Sequence, residues 1–241
     1  MLIAIPSKGR AGANRSGKYM PTAKLFVPAN ERGAYEAVER NSVVAVPNEV
    51  RGITATRNWI LDWAQERDES QVVMIDDDLR AAGWVKLHAH NAEHQKLSWQ
   101  EMVAEWERLF EVAEDTGYRI WGLATDGATR SIYPYAPFVW RTYVTASCMG
   151  IRNDTGIRFD ESFPVKEDYE LTLRCIKEDG GVVGCRYMYW QNKHWEDEGG
   201  CKAYRTQEME DEAIRRLMEM YPGIIRRVTR GGSGYSIELE F

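Results

Sequence analysis

No apolar run in this chain approaches the roughly 20 residues a helix needs to cross a bilayer. The N-terminal stretch Leu2-Ile3-Ala4-Ile5-Pro6 is too short for a secretory signal. Both absences point to a cytoplasmic protein with no membrane partner. Cysteine is scarce. Cys148, Cys175, Cys185 and Cys201 are the only four, and none forms a C-x-x-C pair. Such spacing does not read as a thiolate zinc site, and buried reduced thiols are expected. There is no Walker loop and no G-x-G-x-x-G, so the families built on those loops are not indicated. Cations are not in excess: 31 Lys and Arg face 37 Asp and Glu, for a net charge of −6. A broad non-specific grip on nucleic acid is not favoured, which leaves room only for a local basic patch.

What is present fits one domain of α/β size, since 241 residues bury a proper core. The central stretch is Val72-Val73-Met74-Ile75-Asp76-Asp77-Asp78. Four apolar residues read as a buried strand, and three carboxylates follow at its end. The C-terminal ends of parallel strands are where α/β sheets place ligands. Adjacent carboxylates repel one another unless a cation sits among them, and a divalent metal carrying a phosphate would satisfy that. A solvated acidic turn is the plainer reading of the run taken alone.

Before that run, Leu2 to Pro6, Lys24 to Pro28 and Ser42 to Pro47 read as strands. A short helix is expected over Glu31 to Arg40, and another from Gly52 through Ala64, where Ile53, Ile60 and Ala64 share a face. This alternation predicts a parallel sheet with crossover helices. Ser7-Lys8-Gly9-Arg10 follows the first strand and is either an ordinary connection or a phosphate-facing loop. Leu79 to Leu97 is polar and reads as a mobile loop beside the site. Its His90-x-x-Glu93-His94 lacks the apolar face of a buried protease helix. Ser98 and Glu101 form a capping box that opens a helix ending near Gly117. Strands are expected at Arg119 to Ala124, Tyr143 to Ile151 and Val182 to Trp190.

A second acidic site, Glu167-Asp168, opens an amphipathic helix with Leu171, Cys175 and Ile176 inward. The helix dipole explains acid in a first turn. His194 lies just past the last strand, a place that suits a ligand. The segment Arg226 to Tyr235 concentrates cations and glycines and reads as a basic tail, a hairpin, or both. Nine tryptophans offer flat surfaces for stacking, although most belong in a core.

The order of these motifs resembles the GT-A class of nucleotide-sugar glycosyltransferases. The resemblance rests on Ile5-Pro6-Ser7-Lys8-Gly9-Arg10, on Gly52 with Arg57 and Asn58, on Asp76-Asp77-Asp78, on Glu167-Asp168 and on His194. Within that class, the compact size and the runs Pro-Ser-Lys-Gly-Arg and Ile-Asp-Asp-Asp resemble the TET-associated glycosyltransferases of bacteriophages, thought to glycosylate 5-hydroxymethylpyrimidines in DNA. The resemblance implies a single GT-A-like, Rossmann-like α/β domain. Residues 1–80 would face the nucleotide, residues 81–225 the acceptor, and 226–241 would be the tail or hairpin. It implies Mn2+ or Mg2+ as cofactor, held by Asp78, His194 and Asp76. Pro6, Ser7, Lys8, Arg10, Arg57, Asn58, Asp76 and Asp77 would bind the nucleotide sugar, with a UDP-sugar as donor. Asp168, with Glu167 beside it, would be catalytic: Asp168 matches the general base of inverting members. Modified DNA would be the acceptor. The middle carboxylate, Asp77, departs from the pattern.

Three other readings stand beside this one. A GT-A enzyme could act on a saccharide, lipid or protein. A metal-dependent nuclease could use Asp76, Asp78 and Asp168. A non-catalytic nucleotide-binding module would need none of them. The donor sugar and the oligomeric state are not legible.

Overall fold

The computed structural model describes residues 1–88, 91–124, 136–192, 205–229 and 235–239. Its elements run β1 (Leu2–Pro6), α1 (Arg15–Tyr19), β2 (Lys24–Pro28), α2 (Arg32–Glu36), β3 (Ser42–Val46), α3 (Ile53–Gln65) and β4 (Gln71–Ile75). Then come β5 (Leu79–His88), β6 (Asn91–Lys96), α4 (Trp99–Thr116), β7 (Ile120–Ala124), β8 (Phe138–Val139) and β9 (Cys148–Arg152). The chain continues through α5 (Glu167–Asp179), β10 (Val183–Asn192), α6 (Gln207–Met220), β11 (Ile225–Thr229) and β12 (Tyr235–Leu239).

One large sheet runs β3-β2-β1-β4-β9-β7-β10-β5-β6, with β8 added against β10. The first four strands are parallel. β9 is antiparallel to both neighbours, β10 is parallel to β7, and β5 is antiparallel to β10. The result is the expected α/β class with a parallel core, extended into a mixed sheet. β11 and β12 form a separate antiparallel hairpin. Among the described residues, no helix is long and apolar enough to cross a membrane.

Period-two alternation explains why the central strands are apolar throughout. Ile3, Ile5, Val73 and Ile75 face one core, built on Met102, Trp106, Leu109 and Phe110 of α4. Leu2, Ala4, Val72 and Met74 face the other, built on α3 and α5 through Ile60, Leu61, Leu171 and Cys175. α6 adds a third cluster, where Ile214 and Leu217 pack on Phe163 and Leu173. β9 and β7 approach closely at Gly150. A Cβ there would collide with the indole of Trp121, so only glycine fits. Cys148, Cys175 and Cys185 are buried free thiols, as their spacing predicts.

The α4 capping box forms as read: Ser98 Oγ accepts from the Glu101 N–H, and the Glu101 carboxylate accepts from the Ser98 N–H. Other expectations need correction. Leu79 to Leu97 is no loop but the β5–β6 hairpin, whose strands pair from Gly83 with Lys96 to His88 with Asn91. Along β5, Leu79, Ala82 and Val85 are buried while Arg80 and Lys86 are exposed. That spacing follows the strand's packing on β10 and gives no clean alternation in the sequence. The helix expected to Arg40 ends at Glu36, and the strand expected from Tyr143 begins at Cys148.

Candidate active site

The strand order reverses between β1 and β4. β2 and β3 extend one way from β1, and β4 begins the other half. A crevice opens at such a switch point, at the C-terminal ends of the strands. Ser7 to Arg10 leaves β1 there and Asp76 to Asp78 leaves β4 there. The topology thus brings two motifs 70 residues apart into contact.

Asp77 is the fastening between them. It is buried, and it accepts from Ser7 Oγ and from the Arg10 guanidinium. Ser7 Oγ also lies 2.8 Å from the Tyr35 hydroxyl, which accepts from the Arg10 N–H at 3.0 Å. The Asp77 carbonyl accepts from the Arg15 N–H at 2.9 Å, at the start of α1. Ser16 Oγ donates to the Asp76 carbonyl and accepts from the Leu79 N–H. The middle carboxylate therefore pins the β1 loop and α1 to the end of β4. Burial pushes its carboxyl up from the ordinary range, while Ser7 and Arg10 hold it down. Pro6 is buried at the end of β1, in register with Phe26. Lys8 is exposed at the tip of the loop.

Asp76 and Asp78 flank that fastening at the end of β4. Asp76 has 35% of its side chain exposed. Arg57 Nη2 and Asn192 Nδ2 each stand 3.4 Å from its carboxylate oxygens. Enclosure by the surrounding protein pushes Asp76 up to about 7; Arg57 pulls it down, and Asp78, Asp77 and Glu167 add repulsion. Asp78 Oδ2 lies 4.0 Å from Arg10, while its Oδ1 is buried with no hydrogen-bond partner among the described residues. Asn192 Oδ1 is likewise buried and unpartnered among them. Unsatisfied buried acceptors are costly, and a cation would satisfy these.

Arg57 links this acidic motif to the second. Its guanidinium donates to the buried Glu167 carboxylate as well as to Asp76. Glu167, read as catalytic beside Asp168, is the ion-pair partner of Arg57. Burial pushes Glu167 up to about 6 against the pull of that arginine. Asp168 is the partly exposed member of the pair. Three donors orient it: the Tyr143 hydroxyl, the Ala146 N–H at 3.2 Å and the Tyr169 N–H at 2.9 Å. The rings of Tyr143 and Tyr169 stack with centroids 3.9 Å apart. Burial and the adjacent Asp168 charge push the Tyr143 phenol well above its ordinary range, so it stays a donor.

Asn58, read as facing the nucleotide sugar, is buried against the Phe159 segment. Its amide donates to the Phe159 carbonyl at 2.9 Å and accepts from the Phe159 N–H at 2.8 Å. His194 lies outside the described residues. Among those residues, no group of three His, Cys, Asp or Glu is arranged to hold a metal alone. Sequence reasoning missed Tyr143, Tyr35, Ser16 and Asn192. Of these, only Asn192 carried a signal, at the end of a strand two residues before His194.

A family model for TET-associated glycosyltransferases matches residues 1–200. The chain belongs to that family. It is therefore a nucleotide-sugar glycosyltransferase, which supersedes the nuclease and non-catalytic readings. The transferase has no match among curated proteins. Solved structures similar to it include glucosyl-3-phosphoglycerate synthase from Mycobacterium tuberculosis, complexed with Mn2+, UDP and phosphoglyceric acid. That protein is 12% identical, with 99% of this chain and 85% of that one covered and a TM-score of 0.49. Another is described as a nucleotide-diphospho-sugar transferase from Desulfovibrio desulfuricans G20, at 10% identity, coverage of 91% and 97%, and a TM-score of 0.45. A third is CMP:2-keto-3-deoxy-manno-octonic acid synthetase with CTP, at 12% identity, coverage of 91% and 98%, and a TM-score of 0.43.

Proposed function

We propose that this transferase moves a sugar from a UDP-sugar to the hydroxyl of 5-hydroxymethylcytosine, or another 5-hydroxymethylpyrimidine, in DNA, using Mn2+ or Mg2+. The observation that supports the metal is Asp78 Oδ1, a buried carboxylate oxygen with no partner among the described residues, two residues from the partly exposed Asp76. Small hard cations are held this way, by one or two carboxylates together with substrate phosphates. Asp78 and Asp76 would hold the ion, with His194 as a further ligand. The ion supplies charge neutralisation to the departing nucleoside diphosphate.

The chain's own residues divide the remaining work. Lys8 is exposed at the loop tip and would contact nucleotide or phosphate. Arg57 holds Asp76 toward the nucleotide and Glu167 beneath Asp168. Ser7, Arg10 and Asp77 keep the loop after β1 in place. Asp168 accepts the proton of the acceptor hydroxyl as that oxygen attacks the anomeric carbon, giving inversion. In this assignment residues 1–80 serve the nucleotide and residues 81–225 the acceptor.

The test is nucleoside mass spectrometry after incubation with Mn2+, a panel of nucleotide sugars and DNA containing 5-hydroxymethylcytosine. A hexose or N-acetylhexosamine adduct is expected, with Asp168→Asn reducing it by roughly 100-fold or more. No adduct with any donor, alongside transfer to a saccharide, lipid or protein acceptor, would overturn the DNA assignment.

A further inference from the structure

A cleft of about 340 Å3 opens between α1 and the β5–β6 hairpin, immediately beyond Asp78. Arg15, Lys18, Arg80 and Lys96 line it with Tyr19 and Leu79, and among the described residues no carboxylate does. This is unusual in a chain of net charge −6. Elsewhere on the surface, arginines lie against acids: Arg32 on Glu36, Arg108 on Glu105, Arg119 on Glu178 and Asp179, Arg158 on Asp62, Arg215 on Glu212 and Glu219. Lys18, Arg80 and Lys96 are exposed, and none of the three is in an ion pair with a described residue. Lys18 donates only to the Gly12 carbonyl, at 2.9 Å.

We propose that this cleft binds the phosphodiester backbone of the acceptor DNA and leads it past Asp78 to the transfer site. The proposal rests on the DNA-acceptor reading and gives it a location on the molecule. Three exposed cations without an acid partner among the described residues exceed what a metal-neutralised diphosphate requires, whereas a polyanion repeats its charge along its length. The footing is rigid enough to set a register. Arg15 sits on the Asp77 carbonyl through its N–H, Tyr19 is tied by its hydroxyl to the Leu97 carbonyl at 2.7 Å, and Arg80 stands two residues from Asp78. Sequence-independent contacts of this kind position a strand without reading it.

The test compares wild type with the triple variant K18Q/R80Q/K96Q, using a fluorescent oligonucleotide containing 5-hydroxymethylcytosine, and adds UDP titration with Mn2+. All three changes are at exposed positions, and R32Q/R67Q/K177Q removes the same charge elsewhere. The triple variant is expected to bind DNA roughly 100-fold more weakly at 0.1 M salt, with the log–log salt slope shallower by about 2–3. The control variant should keep most of the slope. Equal loss in both variants overturns the cleft and leaves only bulk charge. Loss of UDP affinity to match the loss of DNA affinity also overturns it, because the cations would then serve the donor. Wild type that glycosylates the DNA while the triple variant binds it unchanged overturns the cleft alone. Wild type that neither binds nor modifies the DNA overturns both the cleft and the acceptor assignment.

Discussion

Asp168 accepts three hydrogen bonds, and only one comes from a side chain. The two backbone donors set its height in the crevice. The Tyr143 hydroxyl sets its rotation, and stacking on Tyr169 keeps that hydroxyl in place. Tyr143→Phe keeps the stack and removes the donor. Transfer should slow by roughly 10- to 100-fold, the cost of a misaimed catalytic group. The affinity for UDP should not change, since Tyr143 touches no residue assigned to the donor. Single-turnover rates beside calorimetric UDP binding check this, and an equal loss in both would place Tyr143 in the donor site. Nothing in the sequence marks this tyrosine. It lies 25 residues from its partner, in a stretch whose strand starts only at Cys148. Asp77 was hidden for the same reason. Its position among three carboxylates suggested a place in the nucleotide-sugar site, and its contact with Arg10, 67 residues earlier, has no local mark in the sequence.

Elements were legible where the signal was local. The capping box of α4, the apolar runs of β1 and β4, and the acidic opening of α5 each sit within a few residues of their consequence. The β5–β6 hairpin was not legible, because Gly83, the alanines and the lysines take their places from strands distant in sequence. The start of α5 shows a further tertiary influence. Lys166, just before Glu167-Asp168, has left-handed backbone with φ of 58°, which a non-glycine residue adopts only when held. Glu210 of α6 holds it, through a 2.8 Å ion pair, and also pairs with Arg205. Burial pushes the Glu210 carboxyl up, but the bonds from Arg205 and Lys166 outweigh burial, and the net shift is below the ordinary 4.5. A depressed folded value means that Glu210 stabilises the fold above the ordinary carboxylate range. That contribution disappears as pH falls through the folded value. Glu210→Gln should therefore cost roughly 1–3 kcal/mol at pH 7, and the gap from wild type should close below about pH 4.5. Urea midpoints across pH 3 to 7 measure it. A gap that widens toward acid would show that Glu210 is not held as a carboxylate.

At the scale of the whole molecule, the crevice is built from chain segments that each need the others. β1 supplies a loop, β4 the acids, α3 an arginine, α5 the proposed base and β10 an asparagine. A ligand bound there bridges all of them, so binding should appear as global stabilisation. With UDP and Mn2+ at about 100 times their dissociation constant, the gain is about 2.7 kcal/mol, a rise of several degrees in Tm. Asp78→Ala should lose most of that rise while its own Tm without ligand changes little. If UDP shifts the Tm of Asp78→Ala as far with Mn2+ as wild type, Asp78 is not the ion's ligand. The general architecture could be read from alternating strands and helices. The assignment of work among the carboxylates could not, because it depends on which of them are buried and paired.

β5 begins at Leu79, one peptide bond after Asp78, with no turn residue between. The hairpin and the acidic motif are therefore one continuous segment of backbone. Ser16 grips it on both sides of Asp78, at the Asp76 carbonyl and the Leu79 N–H. A polymer bound at Arg80 would contact the chain two residues from Asp78. If DNA docks there as proposed and Asp78 holds the ion, docking and ion binding share this one segment of backbone, and the length of a DNA substrate should then register in the apparent affinity for Mn2+.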